Sequence, residues 1–300
     1  MTPAPPTWWR RRRRDAQWWA GGVWQWLGRA LPEPAFLGVG AALAGHGAAA
    51  APRLRRRTVA QIAARLDVSV REAEAIAARM FRHFGTMAAE LAIFDRLVAR
   101  IDAEVELCEA DAVHLRALQR EAGGLIIASG HLGNWELMAA RLARALRRPA
   151  VFARAPADAR WAQWLSDRRA GAGIVTQARG EAAGPWRSLR RLGAAVGLLV
   201  DRRTAEPSVR VPFFGAPVWA STAPARLHRA TGWPVVVATT ARRPAGGHRI
   251  SIDRLEDVPA AELTARIQAQ LEARIRARPE AWIWFHDRWS DPAGSRPPRG

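Results

Sequence analysis

The sequence predicts an α/β protein built on a largely parallel sheet, and three observations carry that prediction. Short apolar runs recur at Leu125–Ala128, Val151–Ala153, Gly197–Val200, Val235–Ala238 and Ile250–Ile252, each the length of a buried strand. Helical stretches separate the earlier runs, the alternation that parallel strands need for their crossovers. The flanks are helical in period. Residues 58–95 place Val59, Ile62, Ala63 and Leu66 on one helix face, "DVS" at 67–69 breaks the pattern, and Ser69 with Glu72 forms a capping box for the next helix. Residues 108–120 are helical again. Leu263, Ile267, Leu271 and Ile275 mark a late amphipathic helix that Pro279 stops. At 300 residues the chain can bury a core of one large domain or two ordinary ones. The predicted organisation is an N-terminal Trp/Arg-rich segment over 1–57 and a catalytic unit over 58–289. That unit divides into a helical collar at 58–120 and an α/β core at 121–289, and a disordered tail follows at 290–300.

The chain has no Lys and no Tyr; its 46 basic residues, all arginine, face 27 acidic ones and leave a formal charge of +19. GC-rich coding produces part of such a bias. The positive field still favours anionic partners: phospholipid headgroups, phosphorylated glycolipids, an acidic carrier protein or nucleic acid. Cys108 is alone, so no internal disulfide can form. No further His or Cys recurs at ligand spacing, and no metal is expected.

Trp8, Trp9, Trp18, Trp19, Trp24 and Trp26 crowd the first 26 residues, interleaved with five arginines at 10–14. Indole rings at headgroup depth with cations on phosphate are how a chain sits at a membrane–water interface. Pro34 to Pro52 carries no formal charge and has the length of a span, but its alanines, His46 and glycines 38, 40, 45 and 47 make it weakly apolar. A membrane-surface helix or loosely inserted anchor is expected, ahead of a single span and of an ordinary buried helix.

"GGLIIASGHLGNWEL" at 123–137 ends an apolar run on His131 and brings Glu136 five residues later. On one continuous helix the two side chains would sit about 140° apart. If Gly130 and His131 close the strand instead, Glu136 falls in the early turns of the next helix. Its carboxylate could then reach one imidazole nitrogen and raise the basicity of the other, as a general base requires. The amides from Leu132 to Asn134 could serve a developing oxyanion. The chain's single Asn, Asn134, lies between the pair, and Gly130 and Gly133 flank the histidine where backbone must approach a substrate. A structural histidine beside a solvated glutamate is the plainer alternative.

The segment resembles the H-x4-D/E block of the lysophospholipid and glycerolipid acyltransferase superfamily. More narrowly it resembles the GHxGNWE-type block of the lipid A biosynthesis lauroyl/myristoyl acyltransferases. "VFARAPADARW" is similar to that family's following strand and arginine. "VGLLVDRRTAEPSVRVPFFGAPVWASTAPARLHRATGWPVVVA" is similar to its aspartate, FFG and PARL stretch, and "RPEAWIWFHDRW" to its C-terminal ending. The likeness runs from Val105 to Trp289 and implies a glycerolipid-acyltransferase-like fold with a helical N-terminal membrane anchor. It implies that His131 deprotonates a glycolipid hydroxyl, most simply on a lipid A precursor, and that Glu136 orients the imidazole. The hydroxyl then attacks an acyl-carrier-protein or acyl-CoA thioester, with no cofactor. By the same resemblance Gly133, Asn134, Arg154, Asp201 and Arg202 belong to substrate binding, with Arg154 near phosphate. Phe213, Phe214 and Gly215 form a loop walling the acyl chain or thioester. The chain departs from the family at Val200, where the family has proline, and at Ala223, where it has glycine. The expected location is the cytoplasmic face of the bacterial inner membrane, peripheral or single-pass. A phosphatidylinositol-mannoside or lysophospholipid acyltransferase is the nearest alternative.

Residues 58–81 could pass as a helix-turn-helix. Glu72 and Glu74 on the front of its second helix would repel phosphate, and Asp67 stands where a turn glycine belongs. Nucleic acid is not an expected partner. Trp282, Trp284 and Trp289 read as packing or an interfacial rim, and His228, His248 and His286 as structural.

Overall fold

A computed structural model describes residues 8–153, 156–178, 190, 193–203, 207–255 and 258–290. Its centre is a seven-stranded sheet: β1 (Val105–Glu106), β2 (Leu125–Ser129), β3 (Pro149–Ala153), β4 (Val175–Ala178), β5 (Ala195–Leu199), β8 (Val235–Arg242) and β9 (His248–Arg254), in the order β1-β9-β8-β2-β5-β3-β4. All neighbours are parallel except β8 and β9. β2 is buried along its whole length, as a central strand covered on both faces must be. The mostly parallel α/β prediction holds.

The order places a switch point beside β2. The chain leaves β2 through helix α8 (Trp135–Ala145) and returns at β3, beyond β5. From β5 it runs the other way, through a separate hairpin, β6 (Ser208–Phe213) and β7 (Ala216–Ser221), and α10 (Ala223–Thr231), to β8 on the far side of β2. Connections that diverge from adjacent strands leave a crevice at their carboxyl ends, where ligands bind in open α/β sheets. The hairpin was not read from the sequence. Its two-residue turn places Phe214 at φ 51° and Gly215 at φ 70°, the primed geometry usually written as Asn-Gly, so a phenylalanine there hid the signal.

The N-terminal half is helical: α1 (Trp8–Ala30), α2 (Glu33–Ala49), α3 (Pro52–Leu66), α4 (Val70–Ala92) and three further helices, α5 (Phe94–Val98), α6 (Ile101–Glu104) and α7 (Glu109–Ala122). Asp67 closes α3 in the left-handed conformation at φ 55°, and Ser69 Oγ accepts from Glu72 N at 3.2 Å to cap α4. No single described helix is long and apolar enough to cross a membrane, and α2 and α3 turn 96° at their junction. The uncharged stretch 34–52 is thus not one apolar helix of spanning length; only α2 and α3 together, across that bend, reach it by length and composition. α2 packs instead on α4, where a Cβ on Gly40 would meet the Gly85 carbonyl oxygen, and its Phe36 is fully buried among Ile93, Phe94 and Leu97. Small residues let these two backbones touch at Gly40 and Gly85, whereas a Cβ on Gly38 or Gly47 would meet nothing. Helices α9 (Ala159–Gly171) and α11 (Leu263–Ala277) complete the layers, and the predicted late helix is the latter.

Candidate active site

Register builds the centre of the site. β2 and β5 pair in parallel from Leu125↔Ala195 to Ser129↔Leu199, a constant offset of 70 (199 − 129), and Val200 N continues the ladder by donating to Ser129 O at 2.9 Å. Two residues on, the same offset sets His131 against Asp201 (201 − 131 = 70). Their side chains meet: His131 Nδ1 lies 2.8 Å from Asp201 Oδ1, and the His131 amide donates to Asp201 Oδ2 at 2.7 Å. Trp282 Nε1 also donates to Oδ2, at 2.8 Å. Val200 supplies an amide that proline, which lacks an N–H, could not. Gly130 is needed as well, because a Cβ would press on the Asp201 carboxyl at 3.1 Å.

Asp201 is fully buried. Burial alone would raise its pKa, but the facing His131 and the donors from His131 and Trp282 hold it down at about 2. An ionised carboxylate only accepts, so Nδ1 carries the proton and Nε2 is left as the basic nitrogen. That nitrogen belongs to a ring whose side chain is 17% exposed and stands edge-on to Trp135 at 4.8 Å between centroids. The arrangement can take a proton from a hydroxyl and hold the resulting imidazolium against a buried anion.

Glu136 is elsewhere. Its oxygens accept from Arg169 Nη2 at 2.6 Å and Nε at 2.9 Å, and Trp135 Nε1 reaches Oε1 at 3.2 Å. Glu136 and Arg169 are both buried. The expected His131–Glu136 contact is thus replaced by His131–Asp201, because Glu136 in the first turn of α8 turns toward α9 rather than back to the strand end. α8 starts at Trp135, not at Leu132. Gly133 N is already bonded to Ala281 O at 2.9 Å, and Leu137 N to the capping Asn134 Oδ1 at 3.1 Å. By position, the first-turn amides left for an oxyanion are those of Trp135 and Glu136.

A narrow apolar cleft runs between the sheet and α8, lined by Ile127, Gly197 and Leu198, by Met138 and Leu142, and by Trp135, whose ring meets His131. The Glu136–Arg169 pair is its polar end. Gly197, on the strand floor, presents no side chain into it.

The remaining predicted residues distribute as follows. Gly133, at φ 63°, touches the Thr240 carbonyl where a Cβ would collide, and Asn134 is buried and caps α8. Arg202 is exposed next to the pair; His286 beside it is lowered to about 4, first by burial and then by the Arg202 charge. Arg154 lies outside the described residues. Phe213 and Phe214 do not wall the cleft: they are 0% and 4% exposed, and their rings pack on Trp282, Trp284 and Trp289. They support the indole that holds Asp201. Trp282, expected as packing or an interfacial rim, does pack in the buried aromatic cluster, and its N–H adds a polar role that has no signature in the chain. Among the described residues no group of His, Cys, Asp and Glu could hold a metal ion.

Fold and site together define an α/β protein with a histidine–carboxylate pair at adjacent strand ends, opening beside an apolar cleft. The family model for bacterial lipid A biosynthesis acyltransferases matches residues 8–291, nearly the whole chain. The protein belongs to that family, and it is an acyltransferase. No curated protein sequence matches it.

Proposed function

We propose that the protein transfers a fatty acyl group from a thioester, carried by an acyl carrier protein or coenzyme A, to a hydroxyl of a lipid A-like glycolipid. His131 Nε2 takes the hydroxyl proton as the oxygen attacks the thioester carbonyl, Asp201 holds the ring and its developing charge, and the thiolate leaves. The returning proton on His131 passes to the thiolate, so the base is regenerated. The observation that carries this reading is the His131–Asp201 bond at 2.8 Å, with the imidazole edge-on to Trp135, a residue that lines the apolar cleft. The cleft receives the acyl chain, with its carbonyl near the first-turn amides of α8.

The acceptor is reached from a membrane surface. Trp8, Trp19, Val23 and Trp26 fall on one stripe of α1 and are 58–73% exposed. Arg12 lies 5.3 Å over the Trp8 ring on the same stripe. The opposite side of α1 is held by Trp18 against Trp161 and Trp24 against Phe36. An apolar-aromatic stripe with flanking arginines suits anionic headgroups at the cytoplasmic face of the inner membrane. The deciding experiment uses purified protein, acyl-carrier-protein donor and a lipid A precursor. His131→Ala is expected to lower the rate by more than ~10³ with the circular dichroism unchanged; retained activity would reject the assignment.

A further inference from the structure

Behind the segment that carries His131 lies a polar cluster that no motif marks. Glu90, on α4, is 3% exposed. Its Oε2 accepts from Asn134 Nδ2 at 2.8 Å, and its Oε1 forms an ion pair with Arg242 Nη2 at 2.7 Å and meets His248 Nε2 at 3.1 Å. Burial would raise this carboxyl, but His248, Arg242 and Asn134 hold it down at about 2. A buried charge is retained at such cost only where several donors surround it.

Asn134 is where this cluster meets the site. Its amide has two ends that can be exchanged by a half-turn. A carboxylate accepts and never donates, so Glu90 forces the NH2 end toward itself and the oxygen toward the start of α8. There the oxygen takes Leu137 N, and the cap fixes where the helix begins. His83, also on α4, faces the backbone of Gly133, the next residue back. Glu90 thereby sets the path of the chain between His131 and the first-turn amides of Trp135 and Glu136.

The geometry points to Glu90 as a positioning residue for the transfer reaction: it acts through Asn134 to hold the start of α8 at the distance from His131 that the reacting carbonyl needs. It touches no substrate. The inference rests on the general-base reading of His131.

The test exchanges the two groups. Asn134→Asp sets two carboxylates face to face and removes the donor, and a misplacement of the α8 start by about 1 Å is enough to lower kcat by about 10². Adding Glu90→Gln to Asn134→Asp restores one amide facing one carboxylate, leaves a carboxylate to accept from Leu137 N, and is expected to recover at least about tenfold of that loss. The KM for the acyl thioester should stay within about threefold throughout, and the acidic limb of the kcat/KM–pH profile should not move, because the His131–Asp201 pair is untouched. Additive losses without recovery, or a loss expressed in KM alone, would overturn the proposal. The exchange remains informative if Glu90→Ala fails to fold, since it keeps the cluster's charge. His131→Ala run alongside separates the two ideas: activity retained there defeats the general-base reading, whereas failed recovery beside an inactive His131→Ala defeats only the role of Glu90.

Discussion

Asp201 and Glu136 are both buried carboxylates with three N–H hydrogen bonds each, set on either side of the same histidine segment, and they differ in what donates. Asp201 receives an imidazole, a backbone amide and an indole; Glu136 receives an arginine fork and an indole. An imidazole can give and regain its proton at neutral pH, whereas a guanidinium cannot. One acid is therefore tied to a titrating partner and the other to a permanent ion pair inside an apolar cleft. Closeness in sequence favours Glu136 as the partner of His131; the register of two strands seventy residues apart favours Asp201, and the register governs.

Four expected outcomes break or sharpen that contrast. The largest belongs to Asp201→Asn, which keeps the shape and can hold His131 in the wrong tautomer: kcat should fall by about 10³ or more, read in a single-turnover acyl-transfer assay. Trp282→Phe keeps the aromatic packing and removes one donor to a charged oxygen. It should cost about 10-fold in kcat, with a smaller change in KM. Glu136→Gln leaves Arg169 charged and unmatched among apolar side chains, so stability should fall by about 3 kcal/mol in chemical denaturation. The activity lost with it should return in part when Arg169→Gln is added; if instead Glu136→Gln costs as much kcat as Asp201→Asn in a fully stable protein, the two carboxylates have been assigned the wrong way round.

The smallest effect is on acid stability. His83 and His286 both have pKa values lowered from 6.5 to about 4, largely by burial. Folded imidazoles with depressed pKa stay neutral while the unfolded chain takes up protons, so stability is complete above pH 6.5 and is lost as pH falls toward 4. Asp201 and Glu90, depressed to about 2, extend the loss from their unfolded values near 4 downward. Melting temperature followed from pH 7 to 4 should decline with an uptake approaching two protons. A flat profile over that window would show that the two histidines are not held neutral.

Five strands of the sheet and the break between α3 and α4 are legible because burial and helix capping act over a few neighbouring residues; the edge strands β1 and β4, short or partly exposed, leave no apolar run. His131 stands out just beyond the run Ile126, Ile127 and Ala128, but the resemblance of the whole segment is what lifts it above a structural histidine. Asp201 enters from the resemblance only as a binding residue, because its role depends on which strands are adjacent, and adjacency is not written in local pattern. Glu90 is invisible on α4, where a lone glutamate reads as a solvated position, until Asn134 is brought beneath it. α2 is ambiguous for a different reason: helices that touch backbone to backbone and helices that enter lipid both discard charge and bulk.

That contact has a reach beyond the two helices. Gly85 and Glu90 ride on the same rod, five residues and roughly 7.5 Å apart, so whatever sets how closely α4 nestles against α2 also sets how far Glu90 leans over Asn134. A single methyl group at Gly40, far along the chain from His131, would work as a shim: it would tilt the rod and detune the chemistry while leaving every reacting group in place.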